Sequence, residues 1–270
     1  MVRKMTIMAV MATGALAACT TDATSQAASS TTTPTTTTPT TTPRTTAVAS
    51  TPAALPQGAD PVELDPAHFT TDITNTYWPM KPGQTWRYRE TDARGNVYLG
   101  ETTVQAGTET VGGIDARAVQ DVLTTERGTL VEKTVDWYAQ DSDGNLWYLG
   151  EQTAEYKDGQ VSSTEGSWRA GEDGAQAGVI LPAVPRPGLA YRQEYQAGQA
   201  EDRAVVLSTS EQAQSPTGIY KNALLTRETT PLEPDLVELK WYAPGVGRVL
   251  TLTSSGGADR EELVEAPATG

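Results

Sequence analysis

Histidine, cysteine and phenylalanine are each present once in 270 residues, as His68, Cys19 and Phe69. One cysteine permits no disulfide, although an exported protein would meet a compartment that allows one. A zinc site normally draws on several His and Cys side chains, so these counts leave none. A lone histidine with no Gly-x-Ser-x-Gly elbow gives no support to a serine nucleophile. No Gly-x-Gly-x-x-Gly or Walker loop is present, so no cofactor and no metal is expected. No apolar run is long enough to remain as a transmembrane helix, which needs about 20 residues.

What the chain does have begins at the N-terminus. Arg3 and Lys4 precede an uncharged stretch, Met5 to Ala15, which ends in Leu16-Ala17-Ala18-Cys19. A basic start, a short apolar run and small residues before a cut site make a secretory signal. Leu-Ala-Ala-Cys matches the lipobox of bacterial lipoprotein signal peptides. That resemblance implies removal of residues 1–18, a diacylglyceryl thioether on Cys19, and a membrane partner reached through that lipid. One acyl chain holds only marginally, whereas two or three hold firmly.

Residues 19–55 break sharply in composition, with Thr31 to Thr46 nearly all Thr and Pro. Such a segment buries too little apolar surface to offset chain entropy and is expected to be a disordered tether. Fully extended, it would reach on the order of 100 Å. Residues 56–270 then form the folded part. Residues 1–55 hold Arg3, Lys4 and Arg44 against Asp22, leaving 17 basic and 33 acidic side chains beyond them, a net charge of −16. Such a surface repels nucleic acid and anionic lipid.

The folded part repeats with period two. Thr85-Trp86-Arg87-Tyr88-Arg89 and Leu130 to Tyr138 are rich in β-formers and lack helical spacing. Turn pairs punctuate them at Gly95-Asn96, Gly112-Gly113, Arg127-Gly128, Gly144-Asn145, Asp158-Gly159 and Ala197-Gly198. The pattern predicts an all-β domain, a large antiparallel meander of about ten to twelve strands that curls into a half-barrel or barrel. Residues 167–187, rich in Gly and Pro, read as a long lid-like loop over a ligand.

Asp136-Trp137-Tyr138-Ala139-Gln140-Asp141, the Asp143-Gly144-Asn145-Leu146-Trp147-Tyr148-Leu149-Gly150-Glu151 stretch and Trp241-Tyr242-Ala243-Pro244-Gly245-Val246-Gly247 resemble a signature of an uncharacterised family of bacterial secreted and lipoprotein domains. Tyr77 to Gly83, Thr164 to Trp168 and Tyr191 to Tyr195 extend the likeness over most of residues 65–250. It implies an exported β-domain and carries no activity. The Tyr-Ala-Pro-Gly-Val-Gly turn is also similar to one in envelope proteins with curved sheets, some resembling lipid-carrying half-barrels.

Three features offer chemistry. Asp141, Asp143 and Asn145 alternate around Gly144 as calcium loops do, but Gly and Glu fall at the wrong positions for an EF-hand, and an Asp-Gly hairpin is the expectation. Asp136, Glu151, Glu155, Glu165, Glu194, Glu228 and Glu238 lie in or near strands, with Arg87, Arg169, Arg192, Arg227 and Lys240 available to pair them. Six Trp and ten Tyr form an amphipathic set that suits either a core or a ligand wall. The candidate ligand-binding residues are Trp78, Trp86, Trp137, Trp147, Trp168 and Trp241. The leading expectation is an envelope binding or carrier module for a hydrophobic or glycan-like ligand, with lipid, glycan and peptide all open. A carboxylate-dependent hydrolase and a structural protein without a small ligand are the alternatives. A carrier expects an apolar cavity, a hydrolase two inward carboxylates unpaired by Arg or Lys, and a scaffold a filled core with an exposed apolar patch.

Overall fold

The computed structural model describes residues 54–267. The signal peptide expected at 1–18, the lipidation site Cys19 and the tether as far as residue 53 lie outside the described residues. A 3-10 turn at Pro66–His68, capped by the Asp65 side chain, opens the domain. The strands are β1 (Phe69–Thr70), β2 (Thr85–Thr91), β3 (Val97–Val111), β4 (Ile114–Thr125), β5 (Leu130–Asp141), β6 (Leu146–Lys157), β7 (Gln160–Ser163) and β8 (Trp168–Arg169), then β9 (Gln176–Leu181), β10 (Ala190–Arg192), β11 (Glu194–Tyr195), β12 (Arg203–Ser215), β13 (Gly218–Thr230), β14 (Glu233–Ala243), β15 (Gly247–Ser255) and β16 (Arg260–Glu265). Eleven of them have six residues or more, within the number read from the turn spacing.

Strand neighbours run β10-β12-β13-β14-β15-β16-β2-β3-β4-β5-β6-β9-β11, with β1 on β5 and both β7 and β8 on β6. The two ends of this path, β10 and β11, are consecutive in the chain and separated only by Gln193. One kinked segment therefore pairs with β12 on one side and β9 on the other, and the meander becomes a nearly closed barrel. Closure removes the free edges that would invite pairing with other chains.

The kink is held by buried polar contacts. Arg192, 1% exposed, donates from Nη1 to the carbonyls of Gly58 (2.9 Å) and Asp60 (2.6 Å), and from Nη2 to that of Ala177 (2.7 Å). The sequence suggested Arg192 as a carboxylate partner; instead it clamps the entering chain to β9. Gly178 makes the crossing possible. A Cβ there would stand 2.2 Å from the Gln193 carbonyl oxygen, so only glycine lets β9 pass the kink.

The lid expected at 167–187 is also corrected. Its Val179-Ile180-Leu181 run is the buried end of β9, a strand that pairs with β6 there and with β11 at Gln176 and Ala177. The stretch is wall rather than cover, because its apolar residues replace a missing rung between β6 and the closing segment.

The Pro244-Gly245-Val246 turn is a staple. Trp86 Nε1 donates to the Val246 carbonyl at 2.6 Å, and the Gly245 N–H donates to the Thr76 carbonyl at 2.7 Å. Gly247 adopts φ +110°, and a Cβ there would meet Trp78 Cδ1 at 2.7 Å. The motif thus exists to seat the turn beneath two indoles.

Candidate functional site

The tryptophans do not form one wall. Trp78 packs edge-on against Trp86, with centroids 6.4 Å apart, and tilts against Tyr138 and Tyr242. Trp147 lies against Phe69 and donates from Nε1 to Asp141 Oδ2 at 2.7 Å. Trp241 is half-buried at the edge of the core. Trp137 and Trp168 both line one cleft. The acidic turn is the expected hairpin: Asp141 accepts from the Asn145 N–H, from Asn145 Nδ2 and from the Trp147 indole, so its oxygens are already occupied.

Many of the buried side chains of the barrel are acidic. Glu90, Asp121, Asp136, Glu151, Glu194, Glu228, Glu238 and Glu261 are all buried. Of the carboxylates read from the sequence, Glu155 and Glu165 stay at the surface side. One group is neutralised internally. Lys240 Nζ lies 2.6 Å from Glu228 Oε2 on the neighbouring strand and 3.3 Å from Glu238 Oε2 on its own strand. Burial works against the Glu228 charge, but Lys240 and the Thr226 hydroxyl outweigh it and hold its carboxyl down to about 2. Arg87 and Arg169 pair on the surface side, with Glu101 and Glu265 and with Glu109 and Glu172 respectively.

A second group lies where β5, β6 and β8 meet. Asp136, Glu151 and Trp168 are register partners across β5, β6 and β8 and share one face. Trp168 Nε1 donates to Glu194 Oε2 at 3.0 Å. Glu194 also lies beside the Asp202 carboxyl. Burial, first, and the neighbouring charge of Asp202 raise the Glu194 carboxyl well above the usual range. Burial, then Glu194 and Asp136, raise that of Glu151 likewise. On the rung beside them Trp137, Gly150 and Arg169 are partners. Because Gly150 has no side chain, the Arg169 guanidinium reaches across to the Trp137 ring, 4.3 Å from its centroid.

These residues open onto a cleft of about 290 Å³ lined by Trp137, Glu151, Trp168, Arg169, Gln196 and neighbours in the 172–173 turn. Its polar atoms are the notable feature. Trp137 Nε1, Glu151 Oε2 and Gln196 Oε1 are each buried without a hydrogen-bond partner, and all three residues line this one cleft. Buried polar groups are ordinarily satisfied, at a cost of about 1–3 kcal/mol each when they are not. Three such atoms, one donor and two acceptors, belong to residues of this one cleft. Glu151 was among the strand carboxylates read from the sequence, and Trp137 and Trp168 among the aromatics. Gln196, two residues from the Ala197-Gly198 turn, carried no signal of its own.

Fold and cleft together define a nearly closed antiparallel β-barrel with a polar, aromatic-flanked pocket in its wall. Neither a family model nor a curated protein matches the chain. Among solved structures it is similar to a "putative lipoprotein" from Parabacteroides distasonis, with 14% identity and a TM-score of 0.40 over 71% of this chain and 98% of that one. It is also similar to a "putative exported protein with YmcC-like fold" from Bacteroides fragilis, with 14% identity and a TM-score of 0.43 over 71% of this chain and 99% of that one.

Proposed function

We propose that this chain is a membrane-anchored cell-envelope lipoprotein whose barrel domain is a binding module for a small polar, glycan-like ligand. The lipobox ending at Cys19 and the Thr/Pro tether support the address. That Trp137, Glu151 and Gln196, each with a buried polar atom lacking a hydrogen-bond partner, all line one cleft carries the binding reading. Buried interior carboxylates weigh against a purely apolar cargo, and the net negative charge weighs against nucleic acid. A scaffold without a ligand has less support. The large exposed apolar residues Leu99, Val161, Leu207, Ile219 and Val264 are spread over five strands, and Val184 lies between β9 and β10.

Native mass spectrometry of the full chain, released from membranes in mild detergent, tests the reading. A bound mass that leaves on denaturation, and is lost from Gln196→Leu, is the expected result. A clean apo mass, together with no ligand uptake from envelope extracts, would refute it.

A hydrolase is the second reading, favoured by the Glu151–Glu194 pair of raised carboxyls. Glycoside hydrolysis needs both carboxyls to face the scissile bond. Glu194 does not line the cleft and is committed to Trp168 and Asp202, so binding is preferred.

A further inference from the structure

We propose that the outer face of β13, β14 and β15 rests on the phosphate-bearing surface of an anionic lipid bilayer and orients the barrel there. This rests on the membrane-anchored reading above and names the surface through which the domain meets that membrane.

The strand register sorts the side chains into layers. One rung runs Val206, Thr226, Lys240, Thr251, Glu261 and Glu90 across β12, β13, β14, β15, β16 and β2, and all six are buried. Side chains alternate along a strand, so the rungs on either side point outward. The first holds Val205, Arg227, Leu239, Leu252 and Arg260. The second holds Leu225, Trp241, Leu250, Glu262 and Arg89. Leu225, Leu239, Trp241 and Leu252 are half-buried there, and the three arginines are exposed. A water-facing sheet turns its apolar residues in and its polar ones out. These three strands do the reverse, which is the order of a strand facing lipid. The order stops at β2 and β3, which put the Arg87–Glu101 ion pair outward. The face therefore lies against a bilayer and does not pass through it.

Charge names the lipid. The chain is acidic as a whole, which predicts repulsion from anionic lipid. On this face the sign reverses, because Glu90 and Glu261 turn inward and leave Arg89, Arg227 and Arg260 against Glu262. Arg260 is taken by Glu262 at 2.6 Å, whereas Arg89 and Arg227 make no ion pair among the described residues. A guanidinium forks onto phosphate oxygens while its stem lies along apolar surface. An indole at the boundary sinks its ring and keeps its N–H among the headgroups.

The tether comes in beside the same face. Gln57 Nε2 donates to the Ala190 carbonyl at 2.7 Å, and Ala190 pairs with Val205 at the end of the first outward rung. Leu239 is three strands further on, about 15 Å at the usual spacing. The chain leading back to Cys19 thus joins the domain next to the surface that would lie on the bilayer. The face is small, so it orients a domain already held by the lipid and does not replace the anchor.

The test uses the full chain, purified with its own lipid and reconstituted into vesicles whose acyl chains carry bromine, a quencher of tryptophan. Trp241 reports contact, because the other five tryptophans are buried. Fluorescence should be quenched on phosphatidylcholine vesicles containing one third phosphatidylglycerol, and Trp241→Phe should abolish the quenching. Arg89→Gln and Arg227→Gln should each lower the ratio of docked to undocked domain about five-fold, the scale of about 1 kcal/mol per arginine at an anionic surface. Flotation of the same vesicles separates the two readings. A chain that floats without quenching would overturn the docking and leave the anchor standing; a chain that does not float would refute both. Equal quenching on pure phosphatidylcholine would overturn the assignment to anionic headgroups. Shielding of Trp241 from aqueous iodide that grows with chain concentration in detergent, with no bromine quenching on vesicles, would give the face to a second copy and overturn the proposal.

Discussion

Replacing Glu151 by glutamine should make the protein more stable, and the gain should grow with pH. The side chain is 5% exposed, one of its oxygens has no partner, and burial with Glu194 and Asp136 raises its carboxyl. A carboxyl raised in the native state binds a proton that the unfolded chain releases. Its stabilisation is therefore full below the ordinary carboxyl pKa near 4.3 and is lost as pH rises toward the folded value. The loss approaches about 1.4 kcal/mol per pH unit for as long as the native group stays protonated. Glutamine does not titrate, and its amide can donate toward Asp136 or Glu194. Urea unfolding followed by tryptophan fluorescence, at steps between about pH 4.5 and 7, gives the two curves. They should start close together and diverge by about 1–3 kcal/mol at the neutral end. Glu228 supplies a control of opposite sign. Held down to about 2 by Lys240, it adds stability above the ordinary carboxyl range, about 3 kcal/mol, which disappears as pH falls toward 2. Glu228→Gln should flatten the acid limb alone. Parallel curves for wild type and Glu151→Gln would refute the reasoning, because they would mean that Glu151 is ionised and paired in the native state.

Cys19→Ala should move the chain from the membrane fraction to the soluble fraction without changing its unfolding curve; continued membrane retention would sink the lipid-anchor reading. Lys240→Met leaves Glu228 and Glu238 buried with no cation between them, and should cost about 3–5 kcal/mol in urea unfolding. A change below about 1 kcal/mol would mean that another group compensates. Gly178→Ala places a Cβ against the Gln193 carbonyl, and should cost about 3 kcal/mol, the upper end of overpacking, by prising β9 from the closing segment. An unchanged midpoint would refute the close crossing.

The strands were readable because most of them face the core on one side only. Trp86, Tyr88 and Glu90 are buried while Arg87 and Arg89 are exposed, and that alternation is what the period-two pattern detects. β9 defeated the same test for a physical reason. Five of its six residues are buried, so its sequence is continuous and apolar between glycines and prolines, and it reads as a loop. Closure was out of reach as well, since it depends on Gln193 interrupting one strand so that its halves pair with partners far apart in the chain.

The site itself turned on a single irregular residue. Tyr138 pairs with Tyr148, and two residues back Asp136 pairs with Glu151, three residues on. In a regular strand Tyr148 and Glu151 would point to opposite faces, because side chains alternate. The extra residue on β6 beside Trp137, with Gly150 at φ +144°, turns Glu151 back to the face of Asp136 and Trp168. Counting alternation from Tyr148 along β6 would have placed Glu151 outside and Gly150 within. Gly150 also clears the path for Arg169 to lie over Trp137. A bulge of one residue therefore accounts for the burial of the Glu151 carboxyl among Asp136 and Trp168.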